Sequence, residues 1–196
     1  MTTKKQTVRA PKKAAPKKDP KKSATNATTP IVIAENPHLQ LTVHLHYKDD
    51  KIYIKESDIE PHSSFAVRFV NNNTTVEQQQ HVQEKVVEWC KKYSEKIHEA
   101  FPLPMEMPEK SAFFSKFINE LAIVPFGKAV TYQDMSLKVN SNNKASRAIG
   151  NACNQNPFPL IVPCHRVLAA KQGLGGFGSG VELKKVLLSH ESIKWN

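Results

Sequence analysis

Pro102, Pro104 and Pro108 all fall within FPLPMEMP (101–108), and no regular element can run through such a stretch. Each proline fixes its own φ and removes a backbone donor, so neither a helix nor a central strand crosses it. The apolar pattern differs on the two sides of this break. Before it, LQLTVHLHY (39–47) alternates Leu39, Leu41, Val43, Leu45 and Tyr47 with Gln40, Thr42, His44 and His46, the period of a half-buried strand. KDDK is a turn signal, and KIYIK and SFAVRFV read as further strands. From 75 to 100, Val82, Val86, Trp89, Cys90, Tyr93 and Ile97 follow helical spacing, with Cys90 on the apolar stripe as a small core residue. After the break, helical patterns dominate. The expected fold class is α/β of the α+β kind: a small N-terminal antiparallel sheet plus helix over residues 30–107, then a mostly helical C-terminal domain over 108–196.

Residues 1–29 form a separate tail. Nine basic residues precede Ser23 against one acidic residue, Asp19, so most of the formal +10 charge sits there and the body is near neutral. A Lys/Pro/Ala/Ser/Thr segment has little to bury and is expected to be disordered. Its candidate roles are a solvated tail, a nuclear import signal or a non-specific arm on nucleic acid. Three cysteines without a C-x-x-C pair fit a reducing, intracellular setting. No apolar run approaches a membrane span, so no membrane partner is expected. His44 and His46 share a sheet face; a wet face accounts for them better than a metal, and no metal site is expected.

In the second half, SAFFSKFINELAIV places Phe113, Phe114, Phe117, Ile118 and Leu121 on one helical stripe. TYQD fits a capping box in which Thr131 caps and Asp134 reaches back, putting Tyr132 in the exposed first turn of a short helix that ends near Val139. A second short helix is expected over 144–154, with Ala145, Ala148, Ile149 and Ala152 inward, Cys153 near that face and Arg147 outward. Two short helices about the polar turn NSNN fit a helix-turn-helix. Five of the seven glycines lie between Gly173 and Gly180, which predicts positive φ angles or close approach of backbone to another group. VELKKVLLSHE reads as a last helix packing Leu183, Val186 and Leu187 and ending at His190 and Glu191.

The chemistry concentrates in NPFPLIVPCHRVL (156–168). The apolar run before Cys164, bracketed by Pro159 and Pro163, predicts a strand that presents the thiol at its end. A thiolate is a strong nucleophile, and an adjacent imidazole can take its proton, so His165 is expected to hold the Cys164 thiol below its ordinary value of about 8.5. A carboxylate to orient the imidazole is also wanted, and Glu191 is one candidate.

IVPCHRVL resembles the acceptor-cysteine motif of the O6-alkylguanine-DNA alkyltransferases. VPFGKAVTYQDM, ASRAIGNACNQNPFPLIVPCHRV, GLGGFGSG and LKKVLLSHE also resemble segments of that family, in family order, over roughly residues 111–193. The resemblance implies repair of DNA by direct reversal in a single-turnover transfer. O6-Alkylguanine is the substrate, with O4-alkylthymine as a second candidate. Cys164 would be the acceptor, His165 the base acting through a water, and Glu191 the group orienting the imidazole. Asn156 would fix the turn before the cysteine. Tyr132 would press on the phosphate and hydrogen-bond the flipped guanine. Arg147 would fill the space left in the duplex, with Ala148 and Gly150 beside it against the DNA. Pro159, Val167, Gly178 and Ser179 would line the substrate pocket. No cofactor is implied, the partner is duplex DNA, and the protein is expected to act as a monomer in the nucleus, its lysine-rich tail adding non-specific contacts.

Two departures stand out. Gly178 occupies a position where some relatives carry tyrosine, the nearest aromatic here being Phe177. The N-terminal half also lacks the cysteines with which some relatives hold zinc. Three rival readings stand beside the alkyltransferase one: a non-catalytic lesion binder, disfavoured because Cys164 is present; a cysteine hydrolase using Cys164, His165 and Glu191; and a basic chromatin protein, which leaves the second-half motifs unexplained.

Overall fold

The computed structural model describes residues 27–72, 75–140 and 144–196. The expected disorder of the basic tail, before residue 27, lies outside these residues, as does most of the NSNN turn. Four strands form the first sheet: β1 (Ile31–Ala34), β2 (Leu39–Lys48), β3 (Lys51–Pro61) and β4 (Phe65–Asn72). β2 and β3 make an antiparallel hairpin. Asp49 and Asp50 both take positive φ (49° and 58°) at its turn, the backbone twist that matches paired strands.

The sheet is mixed, which corrects the antiparallel expectation. Its order is β1-β4-β2-β3, and β4 runs parallel to β2. β4 starts at the end where β3 finishes, so the short link over 62–64 carries the chain past the start of β2 to its other side. A strand inside a sheet can be buried on both faces, and Phe65, Ala66, Val67 and Phe69 are all buried. His44 and His46 lie half-buried on the sheet. Each faces carboxylates: Asp58 at 3.2 Å and Glu56 at 3.9 Å from the two ring nitrogens of His44, and Glu106 at 2.7 Å from His46 Nδ1.

Helix α1 (Val76–Ser94) opens with a reciprocal cap between Thr75 and Gln78 and lays Val82, Val86, Trp89, Cys90 and Tyr93 into the core. It stops earlier than the spacing predicts. Lys96 takes a left-handed φ of 64°, and Ile97, expected on the buried stripe, is 47% exposed. The proline-rich segment then docks on the sheet: Ile54 donates to the Pro104 carbonyl (2.9 Å) and accepts from the Glu106 amide (2.8 Å).

The helical half contains α2 (Ala112–Ala122), α3 (Tyr132–Asn140), α4 (Ser146–Asn154) and α5 (Val181–His190). Strands β5 (Val130–Thr131) and β6 (Val167–Leu168) pair in parallel between them. Phe114, Phe117, Ile118 and Leu121 are buried as expected. The main apolar core is continuous from the sheet to α5. Among the described residues no helix is long and apolar enough to cross a membrane.

Candidate active site

Thr131 and Asp134 form the expected capping box: Thr131 N–H donates to Asp134 Oδ2 (2.8 Å) and the Asp134 amide to Thr131 Oγ1 (3.1 Å). This fixes Tyr132 at the start of α3. Tyr132 is half-buried and packed on the core rather than exposed. Burial, with smaller contributions from Cys153 and Cys164, pushes its phenol up to about 12. The glycine loop accounts for the packing. A Cβ on Gly175, whose φ is +66°, would sit 3.0 Å from the Tyr132 hydroxyl, so only glycine fits without displacing the ring. On α4, a Cβ added at Gly150 would lie 3.9 Å from Tyr132 Cε1. Gly180, at φ +100°, starts α5. Gly178 is exposed, and Ser179 is half-buried.

On α4, Arg147 and Ala148 are both exposed. Ala148 therefore leaves the inward face that the small-residue pattern assigns to it. Ile149 and Ala152 are buried there, and Cys153 is half-buried. The helix starts at Ser146, and the Ala145 amide before it donates to Ser136 Oγ (3.0 Å), tying α4 to α3.

The segment before Cys164 is not a strand. Pro157, Pro159 and Pro163 cannot donate to a ladder, and Leu160 is left-handed at φ 72°, so the apolar run LIVP turns instead of extending. Asn156 closes this turn: its Nδ2 donates to the Val162 carbonyl (2.8 Å), and its Oδ1 accepts from the Phe158 amide (3.0 Å). Cys164 begins a single 3-10 turn through Arg166, which leads into β6. Val167 in β6 is buried, and Pro159 is half-buried.

Glu191 is the hub of the site. Its Oε1 accepts from His165 Nε2 (2.8 Å), Arg166 Nη2 (2.9 Å) and the Tyr93 hydroxyl (3.0 Å). Its Oε2 accepts from Arg166 Nε (2.7 Å) and the Gly127 amide (3.4 Å). The remaining Arg166 arm, Nη1, donates to the Val124 carbonyl (2.6 Å). Burial of Glu191 opposes its ionisation, but His165 and the permanently charged, bidentate Arg166 outweigh it and hold the carboxyl well below the usual carboxylate range. An ionised Glu191 can only accept, which places the imidazole proton on Nε2 and leaves the Nδ1 lone pair as a base. Nδ1 is buried without a hydrogen-bond partner among the described residues.

The thiol differs from the expected low-pKa nucleophile. Burial pushes Cys164 up; the Asn156 amide, the Lys184 charge and the backbone amides of Cys164 and His165 pull the other way without overcoming it. The resting group is a protonated thiol among donors suited to a thiolate. Lys184 is fully buried, its ammonium donating to the carbonyls of Val167 (2.7 Å) and Leu174 (2.6 Å). Lys184, Arg166 and Tyr93 were missed from sequence. For Lys184 there was a signal, since it lies between Leu183 and Leu187 on the buried side of α5. For Tyr93 there was none, because its partner Glu191 is 98 positions away.

Residues 112–193 match the family described as 6-O-methylguanine DNA methyltransferase, DNA binding domain. Over these residues the chain is similar to that family. It is 45% identical over 84 residues to a methylated-DNA–protein-cysteine methyltransferase of Methanocaldococcus vulcanius, covering 43% of this chain and 50% of that one. The human protein of the same name is 35% identical over 97 residues, covering 47% and 46%. The matched part spans about half the length of these relatives. The fold extends further. Mycobacterium tuberculosis OGT in complex with DNA is 23% identical with a TM-score of 0.53, over 82% of this chain and 85% of that chain. Mycobacterium tuberculosis O6-methylguanine methyltransferase is 20% identical with a TM-score of 0.54, over 77% and 92%. The α+β arrangement of sheet half and helical half is therefore a known fold.

Burial of His165 lowers its pKa from an ordinary 6.5, despite the opposing pull of Glu191. An unfolded chain then takes up this proton first as the pH falls. The stabilising contribution is complete above about pH 6.5 and is lost as the pH drops through the lower folded value. Denaturant midpoints measured across pH are expected to show this loss in the wild type. The wild-type minus His165→Gln difference isolates it from the other histidines, and a difference that stays flat below pH 6.5 would contradict a neutral buried His165.

Proposed function

We propose that this protein repairs DNA by transferring an alkyl group from O6-alkylguanine to Cys164. The observation that carries this reading is the buried His165–Glu191 pair directly after the buried Cys164, within the part of the chain that matches the alkyltransferase family. Cys164 Sγ attacks the alkyl carbon, forming the S–C bond as the C–O6 bond breaks, and the electron pair leaves on the guanine oxygen. The thiol proton passes by way of His165 Nδ1 towards the departing guanine. Ionised Glu191, held by Arg166 and Tyr93, stabilises the imidazolium formed in between. The thioether is stable, so each molecule acts once. No cofactor enters the reaction.

The target base must leave the stack, at a cost of a few kcal/mol. Arg147, exposed on α4, is suited to fill the space it vacates, with Ala148 and Gly150 against the groove as a helix-turn-helix. Tyr132 meets the flipped nucleotide, and Pro159, Val167, Gly178 and Ser179 border its pocket. The lysine-rich tail adds non-specific phosphate contacts and can serve nuclear import; a monomer acting in the nucleus fits both.

The test is stoichiometry. With alkylated DNA in excess, one alkyl group per protein is expected, after which reaction stops. Continued turnover would favour the cysteine-hydrolase reading. Arg147→Ala is expected to slow repair of duplex DNA by about tenfold or more while sparing attack on free O6-benzylguanine, which needs no flipping. Equal losses on both substrates would make Arg147 a support of the fold.

A further inference from the structure

Ser57 hydrogen-bonds the sheet half to the acceptor segment at two points. β3 is an edge strand of its sheet, and an edge strand offers backbone donors and acceptors to whatever covers it. The covering segment, 157–163, holds Pro157, Pro159 and Pro163, whose nitrogens cannot donate, so it meets the edge with carbonyls. Ser57 supplies both donors. Its amide donates to the Pro157 carbonyl at 2.8 Å, and its hydroxyl donates to the Pro159 carbonyl at 3.0 Å. Ser57 is 3% exposed.

Between these bonds and Cys164 lies Leu160, buried and left-handed at φ 72°. A branched side chain holds such a conformation only where its surroundings over-determine it. Asn156 closes the turn from inside, through Phe158 and Val162. Ser57 closes it from outside, across 102 positions of sequence.

We propose that Ser57 is a positioning residue for alkyl transfer: its hydroxyl fixes Pro159, and with it the wall of the alkyl pocket relative to the Cys164 sulfur. This rests on the alkyltransferase reading above. Ser57 acts through the strained turn. The sheet half thereby sets both the rate of transfer and the size of alkyl group accepted.

Ser57→Ala keeps the main-chain bond to Pro157 and deletes the hydroxyl bond to Pro159. Single-turnover rate constants are measured on saturating duplex DNA carrying O6-methylguanine or O6-benzylguanine, below the unfolding temperature, alongside DNA affinity and Tm. A misplaced wall is expected to lower the rate constants by about tenfold and shift the methyl-to-benzyl ratio by about threefold or more, with affinity unchanged. Ser57→Thr, which keeps the hydroxyl, is expected to restore the wild-type ratio. If the alanine protein does not fold, Ser57→Cys, close in shape and a weaker donor, carries the same comparison. An active wild type with unchanged rates and ratio in the variant would overturn the clamp and leave the function standing. A wild type that takes up no alkyl group would overturn the functional reading, and the clamp with it.

Discussion

Cys164→Ala is expected to lose alkyl uptake completely while holding lesion-bearing DNA to within about threefold of the wild-type affinity, a difference of less than 1 kcal/mol. The thiol is the group that forms the new bond, and neither Cys90 nor Cys153 is equipped to replace it. Burial pushes both up, as it does Cys164, but neither has the hydrogen bond that Cys164 receives from Asn156. Cys90 lies on the core face of α1, fully buried against the sheet. The groups assigned to DNA, Arg147 and Tyr132, lie on α3 and α4 and are untouched by the substitution. Binding measured by anisotropy and transfer measured by loss of the labelled alkyl group therefore separate. A variant that still accepts the alkyl group would remove Cys164 from the chemistry.

Glu191→Gln is expected to damage both stability and rate. The change removes the charge that compensates Arg166, leaving a buried guanidinium whose Nε and Nη2 lose their ionised partner. Breaking a buried pair in this way costs about 3–5 kcal/mol, which for a chain of this size lowers Tm by roughly 10 °C. The imidazole also loses the carboxylate that fixes its proton on Nε2. Removal of general-base assistance costs about a hundredfold or more in rate. At a temperature where the variant stays folded, the single-turnover rate at saturating DNA should fall by about that factor, with little loss of affinity. An unchanged rate would reduce Glu191 to a structural anchor of α5.

Local signals were the legible ones. The alternation of Leu39 to Tyr47, the Thr131–Asp134 cap and the stripe from Phe114 to Leu121 each depend on neighbours within one element, and the structure contains all three. Cys164, His165 and Glu191 could be named from motif order, and the structure joins His165 to Glu191 directly. What escaped depended on distant partners or on backbone chemistry. Tyr93, Arg166 and Gly127 converge on Glu191 from three separate segments. The apolar run before Cys164 has the composition of a strand, but its prolines cannot donate to a ladder and Leu160 turns the backbone. The parallel pairing of β4 with β2 follows from where a short link crosses the sheet, which alternation alone does not encode. The thiol was expected below its ordinary value on account of its histidine, yet burial is the larger effect.

The most direct measurement is the mass of the intact protein after incubation with duplex DNA containing O6-methylguanine, followed by peptide mapping. The expected result is a single added methyl group, on the peptide carrying Cys164, with guanine restored in the DNA. A methyl group on Cys90 or Cys153, or demethylated DNA with no gain of mass by the protein, would contradict it.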